Sequence, residues 1–123
     1  MSKEAVVIRM EAKPEKSKEL EEFLKNKITQ VKKEPGIPSW YILKFSDVCL
    51  SIFASFSNAS AAEAHHKGDL IQSIFAMEDE LMVRQPVVIP VELLASKIGD
   101  EVEVAHSVIP GAKRYNLRFV DGL

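Results

Sequence analysis

At 123 residues, with 46% hydrophobic and 28% charged side chains, the chain has the size and balance of one globular domain around a single core. A formal charge of -2 offers no attraction for nucleic acid, and one cysteine supplies neither a disulfide framework nor a zinc cluster. No apolar run approaches the roughly 18 residues of a membrane span and no signal-peptide pattern follows Met1, so a cytoplasmic protein is expected.

Ala5 to Glu11 reads as a first strand, with Val6, Ile8 and Met10 on one face and Val7, Arg9 and Glu11 on the other. Pro14 closes it near a helix start. From about Ser17 to Lys33, Leu20, Phe23, Leu24, Ile28 and Val31 recur at helical spacing, and Glu21 and Lys25 stand in the favourable i,i+4 order. Pro35-Gly36 stops this helix.

Two dense strands follow as a hairpin, Trp40–Phe45 and Cys49–Phe56, around a turn at Ser46-Asp47-Val48. Trp40 and Ile42 point one way, while Tyr41, Leu43 and Phe45 point the other. In the next strand Leu50, Ile52, Ala54 and Phe56 share a face. A sheet with one wet side alternates apolar and polar residues more strictly than this. Helices are therefore expected on one face and a second subunit on the other.

Ser60-Ala61-Ala62-Glu63 fits a capping box that opens a helix carrying His65 and His66. Gly68-Asp69 breaks it, and Asp69 is placed to cap a second helix with Leu70, Ile71, Ile74, Phe75, Leu81 and Met82 as its buried stripe, ended by Pro86. Val87–Leu94 is a fourth strand, at an edge or bulged at Pro90, which has no ladder donor. The order is β-α-β-β-α-β, an α+β ferredoxin-like arrangement with an antiparallel sheet. Residues 1–97 make up this domain, and residues 98–123 form an extension of the same unit. That extension holds Glu101–Val104, a turn at Pro110-Gly111 and a strand near Tyr115–Val120, and it either adds a hairpin or reaches a partner.

Glu34-Pro35-Gly36, the aromatic strand after it, and Phe56-Ser57-Asn58 leading into Ala61-Ala62-Glu63-Ala64-His65 resemble the antibiotic biosynthesis monooxygenase-like family of dimeric α+β barrels. The resemblance covers residues 5 to 97 or so. It implies a homodimer with sheets face to face and a pocket for a small aromatic or hydrophobic ligand between sheet and helices. It also implies an activity without metal or other cofactor, namely oxygenation of a quinol or polyphenol. Haem-degrading relatives combine a first-strand Asn, a Trp and a helix His. This chain has no Asn from Val6 to Glu11 and carries Phe56 at the Trp position, which disfavours that reaction. The polyketide type has an Asn near Ile52. The alternative is a non-catalytic homodimer that binds such a ligand in a stress or carrier role.

Within this frame His65 falls on the family's recurrent His position and is the candidate base, since an imidazole titrates near neutral pH. The ordinary alternative is a histidine that packs or caps the helix end. Adjacent helix positions point about 100° apart, so only one of His65 and His66 can face inward. Arg9, Trp40, Ile52 and Phe56 are the candidate pocket residues. Arg9 would stabilise a phenolate, or else pair with Glu11, Glu92 or a partner carboxylate. Trp40 and Phe56 would wall the ligand, or simply pack in the core or an interface.

Overall fold

The computed structural model describes residues 3–98 and 100–104. Strand β1, Lys3–Glu11, leads through a 3-10 turn at Pro14–Lys16 into helices α1, Ser17–Lys25, and α2, Ile28–Val31. The expected single helix is thus divided. Lys27 N–H bonds Leu24 O at 3.0 Å, three residues back, and this tightened turn shifts the register between the two pieces. Strands β2, Ser39–Lys44, and β3, Cys49–Phe56, form the hairpin, and its turn is held where Cys49 N–H donates to Ser46 Oγ at 3.2 Å.

Helix α3, Ala59–Lys67, follows, then α4, Asp69–Ala76, α5, Glu78–Leu81, and β4, Val87–Leu93. Two capping expectations are corrected. The cap of α3 is Asn58, whose Oδ1 accepts from Ala61 N–H at 2.8 Å, because the helix already begins at Ala59, one residue before Ser60. Asp69 is already inside α4, and Gly68 occupies the cap position. The second helix also ends at Leu81, short of Pro86, because Met82 turns extended and bridges to Ala12.

The four main strands pair antiparallel in the order β2-β3-β1-β4. This is the expected α+β ferredoxin-like fold, with Pro90 on an edge strand as its missing donor requires. Two further strands, β5, Ala95–Ile98, and β6, Glu101–Val104, form a separate two-stranded sheet. The turn expected at Pro110-Gly111, the strand near Tyr115–Val120 and His106 lie outside the described residues.

Cross-strand register sorts the side chains onto two faces. Trp40, Ala54 and Val6 share one row, and Ile42, Ile52 and Ile8 the next, all beneath the helices. There they meet Leu20 and Leu24 of α1, Ala62 of α3, and Ile71 and Ile74 of α4 in one core. Glu21, expected to pair with Lys25, instead contacts Lys44 Nζ at 2.6 Å and ties α1 to the end of β2, while Lys25 pairs with Glu22.

The other face carries no helix. Its central row is Tyr41, Phe53, Val7 and Ile89, with Tyr41 55% exposed and Ile89 36% exposed. Leu43 and Val87 in the next row are also exposed. This face therefore leaves large apolar side chains on the surface. No helix among the described residues is long and apolar enough to cross a membrane.

Candidate functional site: the His65–Glu34 cleft

Three local features bring the site together. Glu34 ends the α2 region, Pro35-Gly36 turns the chain back, and Gly36 takes φ +81° so that its carbonyl accepts from Ser57 N–H at 2.9 Å, just past β3. That bond sets the turn against the start of α3. Helix α3 then carries His65 over Phe56 at the end of β3, with ring centroids 5.1 Å apart. The result is an open depression of about 550 Å³ lined by Glu34, Pro35, Gly36, Asn58, Ser60, Ala61, Ala64 and His65.

Of the two adjacent histidines, His65 faces inward. It is 2% exposed, while His66 is only partly buried. Its Nδ1 lies 3.5 Å from Glu34 Oε1, and its Nε2 is buried without a hydrogen-bond partner. A proton on Nδ1, directed at the carboxylate, leaves Nε2 as a free acceptor; the tautomer follows from the neighbours. Burial pushes the His65 pKa below its ordinary value, the Glu34 carboxylate pulls it partly back, and His66 lowers it further. The ring is therefore neutral near pH 7 and able to take a proton.

This has a consequence for stability. The depressed value means that the unfolded chain binds the proton more readily than the fold does. Stability from this group is complete above the unfolded value of about 6.5 and is lost as pH falls from there to the folded value, at no more than ~1.4 kcal/mol per pH unit. In denaturant titrations between pH 7.5 and 5, His65→Gln is expected to flatten that slope. An unchanged slope would assign it to other groups.

The remaining candidates divide. Phe56 is fully buried and touches the His65 ring. Trp40 lies on the same sheet face, opposite Ala54, and its Nε1 is buried without a partner. Ile52 is 0% exposed within the core and lines none of the open clefts described in this chain. Arg9 is on the helix-free face, so the sheet separates it from His65. The expectation that Arg9 stabilises an anion formed at His65 is corrected on that ground: alternation along β1 points it away from the helices. Nor does it pair with Glu11, whose carboxylate contacts Arg84 Nε at 3.3 Å.

Glu34 is the functional candidate that the sequence reading passed over. It served there only as part of the Glu34-Pro35-Gly36 motif, with no role of its own, and its partner lies 31 positions away. Among the described residues no group of three or more His, Cys, Asp or Glu side chains is arranged to hold a metal ion.

No protein-family model and no curated protein matches this chain. Solved structures do. A Nitrosomonas europaea protein of unknown function is 32% identical, covering 80% of this chain and 95% of its own, at a TM-score of 0.75. A Caulobacter crescentus protein provisionally assigned as an antibiotic biosynthesis monooxygenase is 20% identical over 73% of this chain and 88% of its own, with a TM-score of 0.62. A second such protein, from Nitrosomonas europaea, is 14% identical over 72% of this chain and 95% of its own, with a TM-score of 0.63. This chain has the antibiotic biosynthesis monooxygenase-like fold. The resemblance read from Glu34-Pro35-Gly36 and Phe56-Ser57-Asn58 is thereby borne out. In this chain the two motifs are spatial neighbours, joined by the Gly36–Ser57 backbone bond.

Proposed function

We propose that this protein is a cofactor-independent monooxygenase for a quinol or polyphenolic aromatic, with His65 as its base. The observation that carries the reading is the unpartnered, buried Nε2 of a neutral His65 whose other nitrogen faces Glu34. An electron-rich aromatic needs little from its enzyme. Once His65 removes a phenolic proton, the substrate anion can reduce oxygen itself. One oxygen atom then enters the substrate and the other leaves as water, both electrons coming from the substrate. The protein supplies the base, a dry wall at Phe56 and ordered positioning. The structural neighbours named as monooxygenases support the reaction class.

The test is anaerobic incubation with reduced menadione followed by admission of oxygen. Protein-dependent oxygenation above the protein-free rate is expected; equal rates would remove the enzyme reading.

A second reading is favoured by one observation. At 2% exposure His65 is nearly closed off, as suits a protein that holds a ligand without turning it over. Binding of quinones in a thermal-shift screen, with no oxygen consumption, would select it.

The assembly proposed for either reading is a homodimer through the helix-free face. The exposed row of Tyr41 and Ile89 gives each copy an apolar belt to bury against its twin. Sedimentation at twice the 13.8 kDa chain mass is expected at micromolar concentration, and Phe53→Lys should drive the protein to the monomer. A wild-type monomer would refute this assembly.

A further inference from the structure

The helix-free face has a polar feature of its own, on the opposite side of the sheet from the His65 cleft and independent of the reading given to that cleft. At one end of this face, past the apolar row of Tyr41, Phe53, Val7 and Ile89, the next row holds Leu43, Ser51, Arg9 and Val87, and the one after it Cys49 and Glu11. A cavity of about 190 Å³ opens there, lined by Arg9, Glu11, Cys49, Arg84, Gln85 and Val87 together with Met10. By volume it has room for about six waters, the size of a small acid's head group and first few carbons.

We propose that this cavity binds a small oxyanion, a carboxylate- or phosphate-bearing molecule, between the guanidinium groups of Arg9 and Arg84. Three observations carry this. Two arginines face one carboxylate, so the cavity has an uncompensated positive charge. Arg84 uses its Nε on Glu11 at 3.3 Å, which orients the guanidinium and leaves its two terminal nitrogens for a ligand. Arg9 makes no side-chain hydrogen bond or ion pair among the described residues, although it stands on a sheet whose neighbouring side chains are mostly apolar.

A further mark lies beside Arg9. Ser51, its cross-strand neighbour, is 1% exposed, and its Oγ is buried without a partner. A buried hydroxyl of that kind is usually satisfied, and Ser51 stands behind the cavity rather than in its lining. Guanidinium forks match planar carboxylates and phosphate oxygens two bonds at a time, which favours an oxyanion over a halide. Val87, half exposed on the cavity wall, gives an apolar body somewhere to rest.

The test is isothermal titration of the full chain with sodium benzoate and, separately, inorganic phosphate at low ionic strength. Saturable binding of at least one is expected. Arg9→Gln and Arg84→Gln should each weaken it about tenfold, as loss of a charge-assisted pair does. Glu11→Gln should tighten it, because it removes the competing carboxylate, and a purely structural role for these residues would not produce that sign. Lys67→Gln, on α3 across the sheet, controls for general charge loss and should change nothing. Tighter binding of benzoate assigns a carboxylate ligand with an apolar body, and tighter binding of phosphate assigns a phosphoryl compound. Absence of binding to both, or binding that survives both arginine substitutions, would overturn the site.

Discussion

Gly36→Ala is expected to destabilise the protein by about 3 kcal/mol, from two independent causes acting at one atom. Gly36 holds φ +81°, a conformation that costs an L-residue roughly 1–2 kcal/mol. An added Cβ would also stand 2.7 Å from the Cβ of Ala61, a separation that two carbons do not tolerate. Ala61 belongs to α3 and cannot yield without moving the helix that carries His65, so the crowding adds a further cost of about 1–3 kcal/mol. In a domain of this size the sum corresponds to a fall in melting temperature of roughly 10–20 °C.

The double variant with Ala61→Gly separates the causes. It removes the crowding and keeps the backbone cost, so its loss should be smaller than the sum of the single losses by about 1 kcal/mol or more. A Gly36→Ala protein within ~0.5 kcal/mol of wild type would show that the turn has no such constraint. Because the same turn holds Glu34 against His65, quinone binding should weaken in step with stability.

The sequence conveyed the sheet well because strand faces alternate with a period of two, and the hairpin is dense enough to show it on both sides. Leu50, Ile52, Ala54 and Phe56 were read as one face, and all four are fully buried. Tyr41 and Leu43 were read as the opposite face and stand exposed on the side without helices. Pro90 was placed at an edge or a bulge from the absence of one hydrogen-bond donor, and it lies on an edge strand.

Features fixed by backbone detail were harder to read. A stripe at helical spacing does not register a turn tightened by one residue, so the interruption after Lys25 was invisible. Ser60 met the sequence rule for a capping box, but the helix already begins at Ala59 and Asn58 takes the cap.

The candidate site was legible only in part. His65 was singled out through the recurrent His position of the resembled family, and Phe56 through the position where its relatives carry Trp. Their contact requires knowing that the helix crosses the strand it follows. Glu34 could not be found by spacing, because its approach to His65 depends on the fold of the Gly36 turn. Arg9 shows the converse. Its chemistry was read as anion binding, and its sheet face was available from simple alternation, yet a single site was expected to hold it together with His65. The fold places the two on opposite faces of the sheet. One sheet face carries a neutral base beside a carboxylate, and the other carries a pair of arginines.

His65→Gln is expected to lower the oxygenation rate by about 10²–10³-fold, within the range that a positioned general base contributes. Glutamine keeps a polar side chain of similar length and cannot accept a proton near neutral pH, so folding is less disturbed than by truncation to alanine. The Glu34→Gln variant tests the mechanism more sharply. The wild-type rate should rise with pH as His65 loses its proton, with the midpoint of the rise below the ordinary imidazole value of about 6.5, since burial depresses the pKa. Of the neighbours that shift His65, Glu34 alone raises its pKa. Replacing that carboxylate with an amide should move the rising limb to lower pH while the plateau rate falls, because a weaker base that is less firmly oriented takes the proton more slowly. A merely structural Glu34 would reduce the rate without moving the limb. If the limb stays in place, the Glu34 carboxylate does not tune the base; if His65→Gln retains full oxygenation, His65 is not the base. Loss of quinone affinity in His65→Gln, with oxygen consumption at the protein-free level in both proteins, would leave the cleft as a binding site alone.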